Sequence, residues 1–248
     1  MLLLALACAG NDTPNTDDSV AVESALPEVW GLAAAEDHDP DPHVVEVHLD
    51  AYETTVDWGL EDVTDVWTYN GQVPGPLIQV REGDLLRVVL TNNLPDDEET
   101  TIHWHGLRIS DEMDGMPHMQ DPVQVGEEFV YEFVVEDPAT FWYHPHVRSF
   151  KQVEKGLHGA LIVHEAEAPQ VQERMFVFDD VYIKDNGSFY GFNLDNNHMM
   201  QMHGRYGNML LVNGSAEPLT DTVQPGVPER WRVVNTANAR NMWVSVEG

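Results

Sequence analysis

Apolar and polar residues alternate with a period of two in short stretches along most of this chain, and a helical period is scarce. Alternation predicts strands over 44–49, 77–80 and 129–134, because side chains two apart on an extended chain face the same way, and more continuous apolar runs predict others over 85–90 and 161–163. Turn chemistry separates them: Asn70-Gly71, Pro74-Gly75-Pro76, Glu82-Gly83-Asp84, Asn92-Asn93 and Asp137-Pro138. Many short strands with frequent turns predict an all-β antiparallel sandwich or barrel. Near Ala168-Pro169 the pattern restarts, with strands predicted over 175–178, 209–212, 230–235 and 242–246 and a long polar loop over 185–205. The stretch from Pro169 to Gly248 is shorter than the roughly 100 residues of a complete sandwich. The expected organisation is therefore a leader and linker over 1–42, a complete domain over 43–168 and a partial second domain over 169–248. Residues 11–42, rich in Asp, Glu, Ala, Pro, Thr and Ser, read as a flexible acidic tether, with His38 and His43 on its solvated surface.

Charge narrows the partners. The 248 residues carry 43 acidic and 12 basic side chains, a formal net charge of −31. Nucleic acid and anionic membrane surfaces need clustered Lys and Arg, so neither is expected as a partner. A surface this acidic suits a high-salt habitat or serves simple solubility. The one cysteine, Cys8, follows a short apolar run and precedes a polar tract, which is similar to the cleavage site of a bacterial lipoprotein signal. Export to the periplasm or cell surface is expected, with a membrane tether through Cys8 if that residue is acylated. The apolar run is short and no Lys or Arg precedes it, unlike an ordinary export signal. Nothing after it reaches the length of a membrane span.

The chemistry-bearing residues are two histidine pairs, His103-Trp104-His105-Gly106 and His144-Pro145-His146. Each ends a predicted strand, and its i, i+2 spacing turns two imidazoles to one side. A lone His is more often a surface or core residue than a ligand. Two such pairs, both flanked by aromatics, point to a transition-metal site, and imidazole suits Cu, Zn, Fe and Ni. No Glu stands at the spacing of a His-Glu hydrolytic zinc site, which disfavours zinc. Trp104 and Pro145 fall between ligands and should point away from the metal, while Trp142, Tyr143, His158 and His164 read as packing residues.

These motifs resemble the N-terminal part of a three-domain multicopper oxidase, the laccase and cuprous-oxidase family. Its early signature is similar to the run Tyr69-Asn70-Gly71-Gln72-Val73-Pro74-Gly75-Pro76, and its first two ligand motifs to 101–107 and 141–146. Gly156-Leu157-His158-Gly159-Ala160 resembles the segment closing its first domain, and Leu211-Val212-Asn213-Gly214 with 230–235 resembles its second. The resemblance implies a cupredoxin-like Greek-key sandwich. It implies that His103 ligates a type 2 copper and that His105, His144 and His146 ligate the type 3 pair. It further implies that Asp114 helps deliver protons, though a turn acid before Gly115 has a plain structural use. The implied reaction couples one-electron oxidation of a reductant, a phenol or Cu(I), to reduction of O2 to water. A type 1 copper needs a Cys thiolate, so that centre and the remaining cluster ligands are expected in a further C-terminal domain. The 248-residue chain is expected to be inactive alone.

Rival readings stay open. Copper nitrite reductases share the fold but carry a Cys beside the second His motif, which is absent here. Met113, Met116 and Met119 around His118, and Met199, Met200, Met202 and Met209 near His198 and His203, supply thioethers that select Cu(I). Met is also an ordinary packing residue. A non-catalytic periplasmic copper-sequestering protein would use the same residues.

Overall fold

The computed structural model describes residues 26–169, 171–193 and 198–245. Twelve strands lie among them: β1 (Val29–Trp30), β2 (Val44–Val56), β3 (Thr64–Tyr69), β4 (Gly75–Arg81), β5 (Leu85–Asn93), β6 (His103–His105), β7 (Glu128–Val134), β8 (Ala139–His144), β9 (Gly159–His164), β10 (Gln172–Val181), β11 (Met209–Val212) and β12 (Glu229–Asn235). They form three sheets, in the orders β3-β2-β5-β7, β4-β9-β8-β6 and β1-β10-β11, with β12 also pairing β10. The fold is all-β and cupredoxin-like.

The period-two pattern explains how the first two sheets meet. Val47, Leu49 and Ala51 of β2, Leu86, Val88 and Leu90 of β5, and Tyr131 and Phe133 of β7 bury one face. They pack on Ile78 and Val80 of β4, Trp104 of β6, Tyr143 of β8, and Leu161 and Val163 of β9. The alternate residues of the second sheet do not face water. Leu77, Ala160 and Ile162 pack on Val29, Met175, Val177 and Val234 of the third sheet. Every residue of β9 is therefore buried, which is why 159–163 reads as an unbroken apolar run rather than an alternating one. The Asn-Gly turns also follow their sequence chemistry: Asn70 and Gly71 have φ of 56° and 79°, and Asn213 and Gly214 have φ of 50° and 76°.

A buried ion pair ties the third sheet to the second. Glu173 of β10 accepts from Arg232 of β12 at 2.5 and 3.2 Å, and Arg232 donates onward to Thr140 Oγ1 of β8 at 2.9 Å.

Three expectations are corrected. Residues 26–42 are not a free tether: β1 runs parallel to β10, and Ala35 N donates to Leu77 O at 2.8 Å. Two valine and tryptophan side chains, Val29 and Trp30, found an apolar sheet to pack on, which outweighs the acidic composition around them. The 185–205 loop contains a short helix, α2 (His198–His203). Residues 241–245 form no strand, and Trp243 is 98 % exposed, because no strand among the described residues pairs with this segment. Cys8, the leader and the last predicted residue of that strand, Val246, lie outside the described residues. No helix among the described residues is long and apolar enough to cross a membrane.

Candidate metal centre

Strands β6 and β8 pair antiparallel, with His103 opposite His144, Trp104 opposite Tyr143 and His105 opposite Trp142. The pleat then sorts the side chains. Trp104 and Tyr143 point into the sandwich core and are fully buried, while His103, His105, Trp142 and His144 share the other face. His146 lies beyond the end of β8, yet its ring centroid is 4.4 Å from that of His103.

Ring nitrogens of His103, His144 and His146 all lie within 4.8 Å of one another. Imidazole nitrogens bind a first-row metal at roughly 2.0–2.1 Å, so opposed donors to one ion sit about 4.2 Å apart. The nest is thus within small ring rotations of holding one ion. His105 stands at the rim, its Nδ1 3.3 Å from His144 Nε2. The structure therefore gathers three of the four sequence-identified histidines closely and the fourth beside them.

The partners of the rings fix which nitrogen faces inward. His103 Nδ1 lies 2.9 Å from the Asp114 carbonyl and 3.1 Å from Asp114 Oδ1. His144 Nδ1 lies 3.0 Å from the Pro145 carbonyl. Each Nδ1 must carry the proton to donate to a carbonyl oxygen, which leaves Nε2 as the lone-pair nitrogen that can ligate a metal, although on His144 it faces His105 Nδ1. Trp142 stacks on His144 at 4.0 Å between centroids and fixes its plane. Asp114 sits behind His103 at the end of a short 3-10 turn. Gly115 lets that turn approach: its φ is +72°, and a Cβ there would fall 1.8 Å from Ile102 O.

Burial and neighbouring charge keep His105, His144 and His146 neutral. Burial, then the neighbouring His103, His146 and His105, pull the His144 pKa down to about 3, against the opposing hydrogen bond to Pro145. Burial and then His103 lower His105 and His146 as well, with Asp114 opposing at His146. Neutral imidazoles are the ligating form, so the donor set suits a borderline transition metal such as copper.

Burial also lowers His158 and His164 to about 4. Their ordinary value is 6.5, so the unfolded chain binds these protons first. The stability contributed by the neutral buried rings is full above pH 6.5 and is lost as pH falls from there toward 4. At about 1.4 kcal/mol per pKa unit, His158 alone costs about 3 kcal/mol over that window. Urea midpoints of the metal-free chain are expected to be flat above pH 7 and to fall between pH 6.5 and 5. A midpoint that holds constant to pH 5 would contradict this.

Comparison with known proteins agrees with the geometry. Residues 52–168 match the family model for multicopper oxidases. The chain is 32 % identical over 197 residues to a multicopper oxidase of Staphylococcus epidermidis, covering 78 % of this chain and 43 % of that protein. The chain belongs to the multicopper oxidase family. The crystal structure of a multi-copper oxidase from Pseudomonas thermotolerans superposes with a TM-score of 0.71 at 35 % identity, covering 79 % of this chain and 47 % of that one. A copper resistance protein A homolog of Pseudomonas syringae pv. tomato is 40 % identical over 104 residues, 42 % of this chain and 17 % of that protein. The chain spans less than half the length of these relatives.

Sequence reading missed the supports of the nest. Thr101, fully buried, accepts the His146 backbone N–H at 3.2 Å. Gln152, on the helix α1 (Ser149–Gln152), is also fully buried. The only signal was a polar Glu-Glu-Thr-Thr run where a buried connection would ordinarily be apolar. Among the methionines, Met113 packs against the sandwich core, whereas Met119 and Met202 are exposed.

Proposed function

We propose that the chain is part of an exported multicopper oxidase that couples one-electron oxidation of a small reductant to the four-electron reduction of O2 to water. The observation that carries this reading is the convergence of His103, His144 and His146, with Nε2 left as the lone-pair nitrogen of His103 and His144. In the complete cluster of this reading His103 would hold the type 2 copper and His105, His144 and His146 the type 3 pair, whereas a single ion bound to this chain alone would be shared by the three converging rings. Bound copper supplies the electron-transfer and oxygen chemistry. The protein would supply imidazole donors in a fixed orientation, and Asp114, whose carbonyl and carboxylate both lie within reach of His103 Nδ1, would help deliver protons. Export fits the lipoprotein-like leader, although Cys8 lies outside the described residues.

The described residues include no cysteine, so a type 1 centre would have to draw its thiolate from elsewhere. Steady phenol oxidation by the purified, copper-loaded 248-residue chain is expected to be undetectable. Turnover at the rate of a complete oxidase would sink this part of the reading.

For the reductant we favour Cu(I) over phenols. Met119 and Met202 offer exposed thioethers, soft donors that select Cu(I), and one relative is named for copper resistance. Deleting α2, His198–His203, in the full-length enzyme is expected to cut Cu(I) oxidation about tenfold while leaving a phenolic substrate within twofold. Equal loss of both activities would return α2 to a covering role and favour a general laccase. A copper-sequestering protein without turnover is not favoured by membership of an oxidase family.

A further inference from the structure

The β6–β8 ladder sets His103, His105 and His144, but it stops at the His103–His144 pair. His146 follows Pro145, outside any strand, so the sheet does not fix its distance from His103. Something else must, because its ring lies only 4.4 Å from the His103 ring.

A buried polar connection spans this gap. The segment leading into β6 presents Glu98, Thr100 and Thr101, all almost or fully buried. Thr101 Oγ1 accepts the His146 N–H at 3.2 Å. Thr100 Oγ1 donates to Gln152 Oε1 at 2.8 Å, and Gln152 Nε2 donates to the Glu99 carbonyl at 2.9 Å. Glu98 takes Arg148 at 2.8 Å on one oxygen and Lys151 on the other. Arg148 itself is left-handed, with φ 43°, at the turn between His146 and α1. These bonds join residues 98–101, just ahead of the first ligand, to His146 and to residues 148–152, just after it.

We propose that Thr101 is a positioning residue for His146, and that Glu98, Thr100 and Gln152 hold the two segments in the register that lets it act. The latch sets how far the unladdered histidine stands from the laddered ones, and so sets the geometry of the metal site. This rests on the histidine nest being the copper site proposed above. Partners that orient ligands in this way typically change metal affinity by about 10–100-fold when removed.

The test uses the 248-residue chain titrated with Cu(II), with His144→Ala subtracted to isolate binding at the nest. If the wild-type chain shows no binding that His144→Ala removes, the functional reading fails and the latch has nothing to position. With that binding in hand, Thr101→Val, which keeps the shape and deletes the acceptor, is expected to weaken it about 10–100-fold and to alter the Cu(II) electron paramagnetic resonance spectrum. Thr101→Ser, which restores the hydroxyl, is expected to recover affinity to within about threefold and the wild-type spectrum. Thr101→Val binding within twofold of wild type with an unchanged spectrum would overturn the proposal. Should Thr101→Val fail to fold, Arg148→Gly replaces it, since the Arg148 side chain is half exposed and glycine suits its left-handed backbone. Its expected loss is about five- to tenfold, a partial removal of such an orienting network, and binding within twofold of wild type would likewise overturn the latch.

Discussion

His144→Ala is expected to lower Cu(II) affinity at the nest by about 10²–10³-fold. Four-ligand sites bind a divalent metal with about 10–16 kcal/mol, which divides to roughly 2.5–4 kcal/mol per ligand, and each 1.4 kcal/mol is tenfold. His144 should sit at the high end. Its ring centroid lies 5.3–5.6 Å from each of the other three histidines, its Nδ1 is committed to Pro145, and its plane is fixed by Trp142. A ligand already oriented loses little freedom when metal binds, so most of its bond strength appears as affinity. His118→Ala is the matched control, since His118 is exposed; it is expected to leave the affinity within twofold. Competition titration against a chelator of known affinity measures both. A His144→Ala loss below tenfold would mean that the metal is held elsewhere on this acidic surface.

Glu173→Ala is expected to destabilise the chain by about 3–5 kcal/mol, the range for removing one partner of a buried ion pair. Glu173 is fully buried and receives Arg232 at 2.5 and 3.2 Å, with Arg230 at 3.4 Å. Removing the carboxylate leaves the Arg232 guanidinium buried without its counter-charge from Glu173, though still donating to Thr140 Oγ1 at 2.9 Å. At about 2–4 °C per kcal/mol for a chain of this size, the melting temperature should drop by roughly 10 °C. Replacing both residues, Glu173→Met with Arg232→Met, removes the stranded charge and is expected to recover most of that loss. The consequence reaches the metal site, because Thr140 lies on β8, the strand that ends in His144. A Glu173→Ala midpoint within 1 kcal/mol of wild type, the ordinary scale of an exposed pair, would show that the third sheet does not brace the second in this way.

The legible and illegible parts of this chain divide along a physical line. Period-two patterning announces which side of a strand a residue takes, so the separation of Trp104 and Tyr143 from His103, His105 and His144 could be read from the letters alone. The Asn-Gly turns were legible for the same kind of reason, since few other pairs take up two positive φ values. Position along the third dimension was not. His146 sits past a strand end, where no period applies, and the groups that hold it come from Thr101 and Glu98, about fifty residues upstream. The acidic stretch around Val29 and Trp30 misled because composition averages over a segment, whereas two apolar side chains suffice to dock it once a sheet edge is available. Trp243 misled in the opposite direction: an alternating run makes a strand only where a neighbour completes its ladder.

The most direct test of the central claim counts the imidazoles on the metal. Electron spin-echo envelope modulation of the chain loaded with one equivalent of Cu(II) reports the remote ring nitrogens of bound histidines. At least three rings are expected, with one fewer in each of His103→Ala, His144→Ala and His146→Ala. A spectrum unchanged by all three substitutions would show that these histidines do not form a copper site.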